Sequence, residues 1–467
     1  MGANSSKKLA AKCSFLSKDE QVIVGNSFRL ASKNSEKIKE DELTKLWGAQ
    51  MDPRLLQYIN NYLFGLGESR INTVDLERFA ELFVFCTRGT VDEKVKVLLI
   101  SLGNNEQEDI DIPNNLVIEY VESIVASYMK IQKICNSKQY KSWATKGCVI
   151  SPQNTQRFAE SLTNELENKE IKRKALETWL QGSTVLGQLL LYVFMHLYNI
   201  SHKDKALLGA DKTALTSLQE APECLENEKD RTLLPMCKNM ELIPSYPSIL
   251  DLNQIVFVNA HLPQLGTVLA EWRFLFSSEI HGESFSTLLG RIVNQGPSVL
   301  ILEDKGGHVF GGFASSNWEL GPKFYGDDSS FLFSLSPKMR VFPSTGYNQH
   351  FQYLNLHQQT LPNGLAMGGQ HGYNGIWIDS EYGHGQCSQS CTTYQGYEQL
   401  SSAKDFQFRH LEVWGLGAPP LSAQEKGERV GSSGGGSVLD GNAENKAMLE
   451  MAGKKMHSDG LREPEPT

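Results

Sequence analysis

The chain has 467 residues, more than one ordinary hydrophobic core accommodates, so two or three domains are expected. Hydrophobic residues make up 40% and charged residues 21%, a globular mix that excludes a disordered or fibrous chain. A net charge of −9 argues against nucleic acid as the main partner, and eight cysteines are too sparse for a disulfide scaffold. With no CxxC pair, the cysteines read as buried reduced thiols of a cytosolic protein.

Residues 1–14 read as a lipid-bearing basic tail. They lack the continuous apolar run of a secretory signal. Met1-Gly2-Ala3-Asn4-Ser5-Ser6 instead fits the N-myristoylation pattern, with Gly2 as the acylated residue. One myristoyl chain binds membrane only marginally, so a second signal is required. Lys7, Lys8 and Lys12 supply it, each adding on the order of 1 kcal/mol beside an anionic leaflet. Cys13 could take a second acyl chain.

Residues 15–240 read as mostly helical. Leu55, Leu56, Ile59 and Leu63 recur at helical spacing after Pro53. So do Phe79, Leu82, Phe83 and Cys86, then Val95, Leu98 and Leu99, then Leu116, Tyr120, Ile124 and Val125. The apolar stretch Ser183–Ile200 contains Gln188, His196 and Asn199 and falls short of the ~20 apolar residues of a membrane span. A buried core helix is expected there. Residues 201–232 read as a charged helix or linker, and no clear internal repeat is visible.

From Pro244 to Gly417 the chain turns rich in Gly, aromatic and β-branched residues. Strand-like runs are Trp272–Phe276, Val299–Glu303, Val309–Ala314, Phe331–Leu335, Gly375–Asp379 and Phe406–Trp414. Phe285, Leu288, Leu289 and Ile292 mark a helix among them, with Ser284 as its cap. Trp272, Phe313, Trp377 and Trp414 are candidate core aromatics. Residues 418–467 read as a linker and a short helix. The linker is Gly431–Ser437, and the helix Ala443–Ala452 presents Ala447, Met448, Met451 and Ala452 as a pliable partner-binding face.

Chemistry-bearing patterns are few. Glu279-Ile280-His281-Gly282-Glu283-Ser284 invites a hydrolase reading, but no Gly-x-Ser-x-Gly elbow occurs in this region. His281 is expected to be a hydrogen-bonded structural residue and Ser284 a helix cap. The histidines lack metal-ligand spacing, and no phosphate-binding loop is present, so no cofactor and no catalytic residue are assigned. The glycine pairs at 311–312 and 368–369 are expected to serve positive-φ turns or close backbone packing.

Phe274–Trp318, the run Pro362–Gly369, Gly375–Asp379, Cys391–Tyr394 and Leu411–Gly415 closely resemble the TLDc family, in the expected order across 244–417. Ala366 and Gly375 depart from the usual family pattern and are expected in a loop that tunes partner contact. The helical half resembles a degenerate EF-hand region. With Ile71 at loop position eight, Phe64, Leu66 and Glu68 fall at ligand positions and Ser69 at the glycine position. A second candidate loop starting at Asp109 and Asp111 is spoiled by Pro113 and Asn114, with Tyr120 in place of the bidentate glutamate. A calcium-free helical pair is expected.

The resulting fold class is α+β. An all-α, EF-hand-like region precedes a TLDc β-sandwich with flanking helices and a short C-terminal helix. One branch of the TLDc family combines these parts. Likeness to it implies a non-catalytic adaptor on the cytosolic face of the lysosomal membrane that supports mTOR signalling with mTOR-pathway partners. TLDc proteins as a class are implied to bind the cytosolic head of the vacuolar proton-pumping ATPase. The alternatives are an antioxidant or hydrolytic enzyme and a calcium sensor.

Overall fold

Side-chain caps set where the helices of the first half begin. Ser17 accepts a bond from Glu20 N–H at 3.2 Å, and Glu20 accepts one from Ser17 N–H at 2.7 Å. This box starts α1 (Lys18–Ala31). Asp52, with Pro53 behind it, caps α3 (Pro53–Phe64), and Asp75 caps α4 (Leu76–Thr87). The computed structural model describes residues 13–104, 111–166, 169–198, 233–239, 246, 248–263, 271–370 and 372–420. The chain divides into two units, Met1–Met236 with Ser245–His261 and Cys237–Pro244 with Leu262–Thr467.

Among the described residues the first unit contains four helix–loop–helix hands. In the first, α1 is followed by α2 (Glu40–Trp47), and in the second α3 by α4. In the third, α5 (Val91–Ser101) leads to α6 (Asn114–Cys135). After α7 (Lys138–Ala144), α8 (Pro152–Leu162) and α9 (Arg173–Gly182) form the fourth. Each hand carries a two-residue strand: β1 (Ile38–Lys39), β2 (Thr73–Val74), β3 (Ile112–Pro113) and β4 (Glu170–Ile171). β1 pairs antiparallel with β2, placing Ile38 opposite Val74, and β3 with β4, placing Ile112 opposite Ile171. A repeat is therefore present after all. Each ladder residue is followed five positions later by a buried apolar one: Leu43, Phe79, Val117 and Leu176. Unequal loops and linkers hide this pattern from a search for a fixed period.

The apolar stretch becomes α10 (Thr184–Tyr198), a core helix as expected. It buries Val185, Leu186, Leu189, Leu190, Val193, Phe194, Leu197 and Tyr198. Tyr198 packs against Phe79, Phe83 and Trp47, with ring centroids 4.6, 4.9 and 5.2 Å apart. Its hydroxyl donates to Phe79 O at 2.7 Å, and Trp47 Nε1 donates to Leu197 O at 3.0 Å. No single described helix is long and apolar enough to cross a membrane; α9 and α10 meet at 84°. The helix α11 (Leu252–His261) also belongs to this unit. Asp251 accepts bonds from Gln254 N and Ser151 N, and Asn253 Nδ2 donates to Ser151 O.

The second unit is a two-layered antiparallel β structure. β5 (Met236–Lys238), at the crossing between units, pairs with β6 (Glu271–Ser277). Two short helices follow, α12 (Ser278–His281) and α13 (Phe285–Ile292). Then come β7 (Ser298–Asp304), β8 (Val309–Ala314), β9 (Phe331–Ser336), β10 (Arg340–Phe342), β11 (Tyr353–Asn355), β12 (Gly364–Met367), β13 (Ile376–Asp379), β14 (His384–Gln386) and β15 (Asp405–Leu416). The order is β10-β9-β8-β7-β15-β14-β13-β12-β11. Residues 405–407 of the long β15 pair with β14 and residues 412–416 pair with β6, while β7 runs along its other edge. One strand thus serves both halves. Leu300, Leu302, Phe310 and Leu332 meet Leu365, Met367, Ile376 and Ile378 in a single core, and the apolar stripe of α13 packs against it. The α+β class and the sandwich agree with the sequence reading. Trp272, Phe313, Trp377 and Trp414 are all buried.

At the turn between β7 and β8, Asp304 is buried. It accepts from Ser401 Oγ at 2.6 Å, His308 N at 2.8 Å, and Ser402 N and Oγ at 3.1 Å each. Burial raises its pKa, but these donors outweigh burial and leave it below the ordinary aspartate value. Asp304→Asn should therefore cost about 1.5–3 kcal/mol at neutral pH in urea melts, the range for hydrogen bonds to a charged group. Because the folded-state pKa is lowered, the carboxylate stabilises above its unfolded value of about 4. That contribution is lost as pH falls through the folded value, so the gap between wild type and variant should close in acid.

Candidate functional site

The local cluster that suggested a hydrolase is taken up by structure. His281 Nδ1 accepts a bond from Ser277 N–H at 3.1 Å, and the ring stacks on Phe274 and Phe276. Burial, then the nearby Arg291, lower its pKa, which favours the neutral ring. Ser284 Oγ accepts from Thr287 N at 3.3 Å and caps α13, as the sequence predicts. A broad open cleft of about 380 Å³ lies over β13–β15, lined by Trp377, Asp379, His384, Gln386, Asp405 and Gln407. Its rim is tied up by Lys305 Nζ donating to Gln407 Oε1 at 2.6 Å.

The loops of the hands need a different register from the one read in the sequence. Ladder pairing with Ile38 puts Val74, not Ile71, at position eight of the second loop, and Ile71 is exposed. Gly67, Ser69 and Ile71 then fall at the first three ligand positions and Arg78 at the position of the bidentate glutamate. Arg78 Nη2 donates to Tyr62 O at 2.6 Å instead. The third loop registers on Ile112, so Leu116 rather than Tyr120 takes the last position. The fourth, which the sequence reading missed, puts Ala175 there. The first loop was missed as well. It keeps Glu42 at the last position, but Lys33 stands at position three with its Nζ 3.8 Å from Glu42 Oε1. An ammonium there repels a dication.

Two of the TLDc-like motifs, Pro362–Gly369 and Cys391–Tyr394, meet through hydrogen bonds in the loops after β12 and β14. Gly368 and Gly369 both have positive φ, and a Cβ on Gly369 would lie 2.0 Å from Tyr373 O. The turn they make lets Gly369 N donate to Thr393 Oγ1 at 2.8 Å. Thr393 Oγ1 donates to Asn348 Oδ1 at 2.9 Å, Asn348 Nδ2 donates to Thr392 Oγ1 at 3.1 Å, and His350 Nδ1 donates to Gly369 O at 2.6 Å. Three loops are thereby locked together. On this frame Tyr347 is 81% exposed and Tyr373 63% exposed. Exposed tyrosines on a rigid frame are suited to burial by a partner, since the backbone is already ordered and a tyrosine has only two χ angles to fix. Both sit in Gly-Tyr-Asn triplets, at 346–348 and 372–374, a signal the sequence reading passed over.

The TLDc domain family matches residues 243–417. The MTOR-associated protein MEAK7 of Xenopus laevis is 38% identical over 399 residues, covering 84% of this chain and 81% of that protein. The human protein of the same name is 33% identical over 442 residues, covering 94% and 91%. This chain belongs to the MEAK7 family of TLDc proteins. Oxidation resistance protein 1 of Bos taurus is 33% identical over 163 residues, which is 35% of this chain and 18% of that protein. MEAK7-family likeness thus extends through the helical hands.

Seen as a MEAK7-family chain, two further placements matter. Ala366 is not in a loop: it lies in β12, fully buried against Tyr353 and Trp377. Gly375 does lie in a loop, in the bend just before β13, but it is buried there, and a Cβ would meet Leu332 at 2.6 Å. Both departures from the TLDc pattern are core features, not surface tuning. The lipidation residue Gly2, the basic Lys7, Lys8 and Lys12, and the helix face Ala447, Met448, Met451 and Ala452 all lie outside the described residues. So do the 201–232 segment and the 431–437 linker.

Proposed function

We propose that this chain is a non-catalytic adaptor on the cytosolic face of the lysosomal membrane that binds the head of the vacuolar proton-pumping ATPase and supports mTOR signalling. The observation that carries this reading is the match to proteins named MTOR-associated over nearly the full length, hands included. The Gly2 motif and the basic Lys7, Lys8 and Lys12 supply the anchor. The Tyr347 and Tyr373 loops and the tail face of Ala447, Met448, Met451 and Ala452 supply partner contacts. Tethering the tail through a glycine-rich linker makes a weak second contact intramolecular and raises avidity.

Lysosomal membranes pelleted from cells test the anchor and the pump contact together. Gly2→Ala should move the protein into the supernatant at physiological salt, where the Debye length is about 8 Å and lysines alone hold poorly. Deleting residues 431–467 should leave Tm nearly unchanged while weakening co-purification with the pump head. A Gly2→Ala protein that stays on the membrane, or a truncated one that still binds the pump as wild type does, rules out the corresponding part of the proposal.

A further inference from the structure

Cys135 breaks the expectation that the cysteines are buried. Cys13, Cys86, Cys148, Cys237, Cys387 and Cys391 are buried, whereas Cys135, the last residue of α6, is exposed. Burial pushes the Cys86 and Cys387 thiols far up and keeps them inert. Cys135 has a different setting. Its Sγ lies 3.6 Å from Nδ1 of His196, in the last turn of α10. The other ring nitrogen, Nε2, lies 3.2 Å from Oε1 of the buried Gln50. An amide oxygen only accepts, so the ring proton sits on Nε2 and Nδ1 is left as an acceptor facing the thiol.

The support behind this pair is rigid. Lys130 Nζ donates to Gly48 O at 3.3 Å and Met51 O at 2.7 Å, and Gln50 N donates to Trp47 O at 2.8 Å, so the segment carrying Gln50 is pinned. Tyr192, one turn before His196, has its phenol pKa raised by burial and then by charge on the same sulfur. The carbonyl end of α6 disfavours an anion at position 135 but favours an imidazolium next to it. It would also repel the oxyanion of an acyl transfer. Thiol–disulfide exchange forms no oxyanion, and that is the chemistry the site suits.

We propose that Cys135, His196 and Gln50 form a reactive-thiol site that exchanges with small disulfides such as oxidised glutathione, giving the helical unit a reversible redox modification. His196 Nδ1 takes the thiol proton, and the sulfur attacks one sulfur of the disulfide. The disulfide's S–S bond breaks as the new one to Cys135 forms, and the departing thiolate takes the proton back from His196. The disulfide is the oxidant and is reduced to one free thiol, and an incoming thiol reverses the exchange. Gln50 is a positioning residue. The proposal uses none of the residues assigned above to membrane or pump contact, so either proposal can fail alone.

The test treats the full-length protein with oxidised glutathione and follows the Cys135 peptide by mass spectrometry, beside a synthetic peptide spanning 131–140. At neutral pH native Cys135 should react about tenfold faster than the peptide, and His196→Gln should fall to the peptide's rate. Gln50→Leu should move the pH dependence of the rate toward the peptide's. A native Cys135 that reacts no faster than the peptide overturns the proposal, whether or not the variants fold. So does a folded His196→Gln protein that reacts as fast as wild type, and an unchanged pH profile in Gln50→Leu removes Gln50 from the site.

Discussion

Trp47→Ala should destabilise the helical unit by about 3–5 kcal/mol, the usual cost of truncating a buried aromatic. That is a large share of the ~5–15 kcal/mol that holds a domain together. The indole is fully buried at the end of α2 and stacks on Phe79 at 5.5 Å. It also packs on Tyr198 at 5.2 Å, joining the first two hands to α10 through one side chain. Alanine would leave a cavity between α2, α4 and α10. It would also strip Leu197 O of the Nε1–H donor. Tyr198→Phe is the milder companion. It keeps the rings and loses only the hydroxyl bond to Phe79 O, at about 1 kcal/mol. Urea unfolding followed by far-UV circular dichroism separates the two. A Trp47→Ala midpoint matching that of Tyr198→Phe would show that α10 does not depend on this contact.

That same helix shows what the sequence makes readable. Polar Gln188 and His196 and the short apolar length of Ser183–Ile200 together imply a core helix, and no tertiary knowledge is needed for that step. The helix stripes of α3, α4 and α5 and the runs of β6 through β9, β13 and β15 are legible for the same reason: local periodicity reports burial directly. What escapes is register. Ile71 and Val74 are both apolar and three residues apart, and only the cross-strand partner Ile38 decides between them. The short strands β10, β11 and β14 also escape, because three residues carry no measurable alternation. Sites assembled across the chain are the least visible. Gln50, Cys135 and His196 come from three separate elements, and nothing in their local sequence foretells the contact.

Gly311→Val should abolish folding of the TLDc unit while the helical unit survives. Gly311 lies in β8 between β7 and β9, opposite Ile301 and Phe333. Its φ is not in the left-handed region, so the demand for glycine is one of space. A Cβ there would stand 1.9 Å from Leu300 O and 2.8 Å from Phe333 Cζ. The phenyl ring can yield a little. The carbonyl cannot, because it belongs to β7, which is laddered to β8 on one side and β15 on the other. Relief would pull β7 away from β8 and open the core at Leu300 and Phe310. Overpacking against side chains typically costs about 1–3 kcal/mol; displacing ladder backbone adds lost hydrogen bonds at roughly 1 kcal/mol each. Valine also carries its branched methyls into the same space. Limited proteolysis of the full-length variant should therefore digest residues 262–417 and spare the helical hands. A Gly311→Val protein that resists cleavage in β7–β9 as wild type does would mean that the β7–β8 approach is looser than 1.9 Å implies.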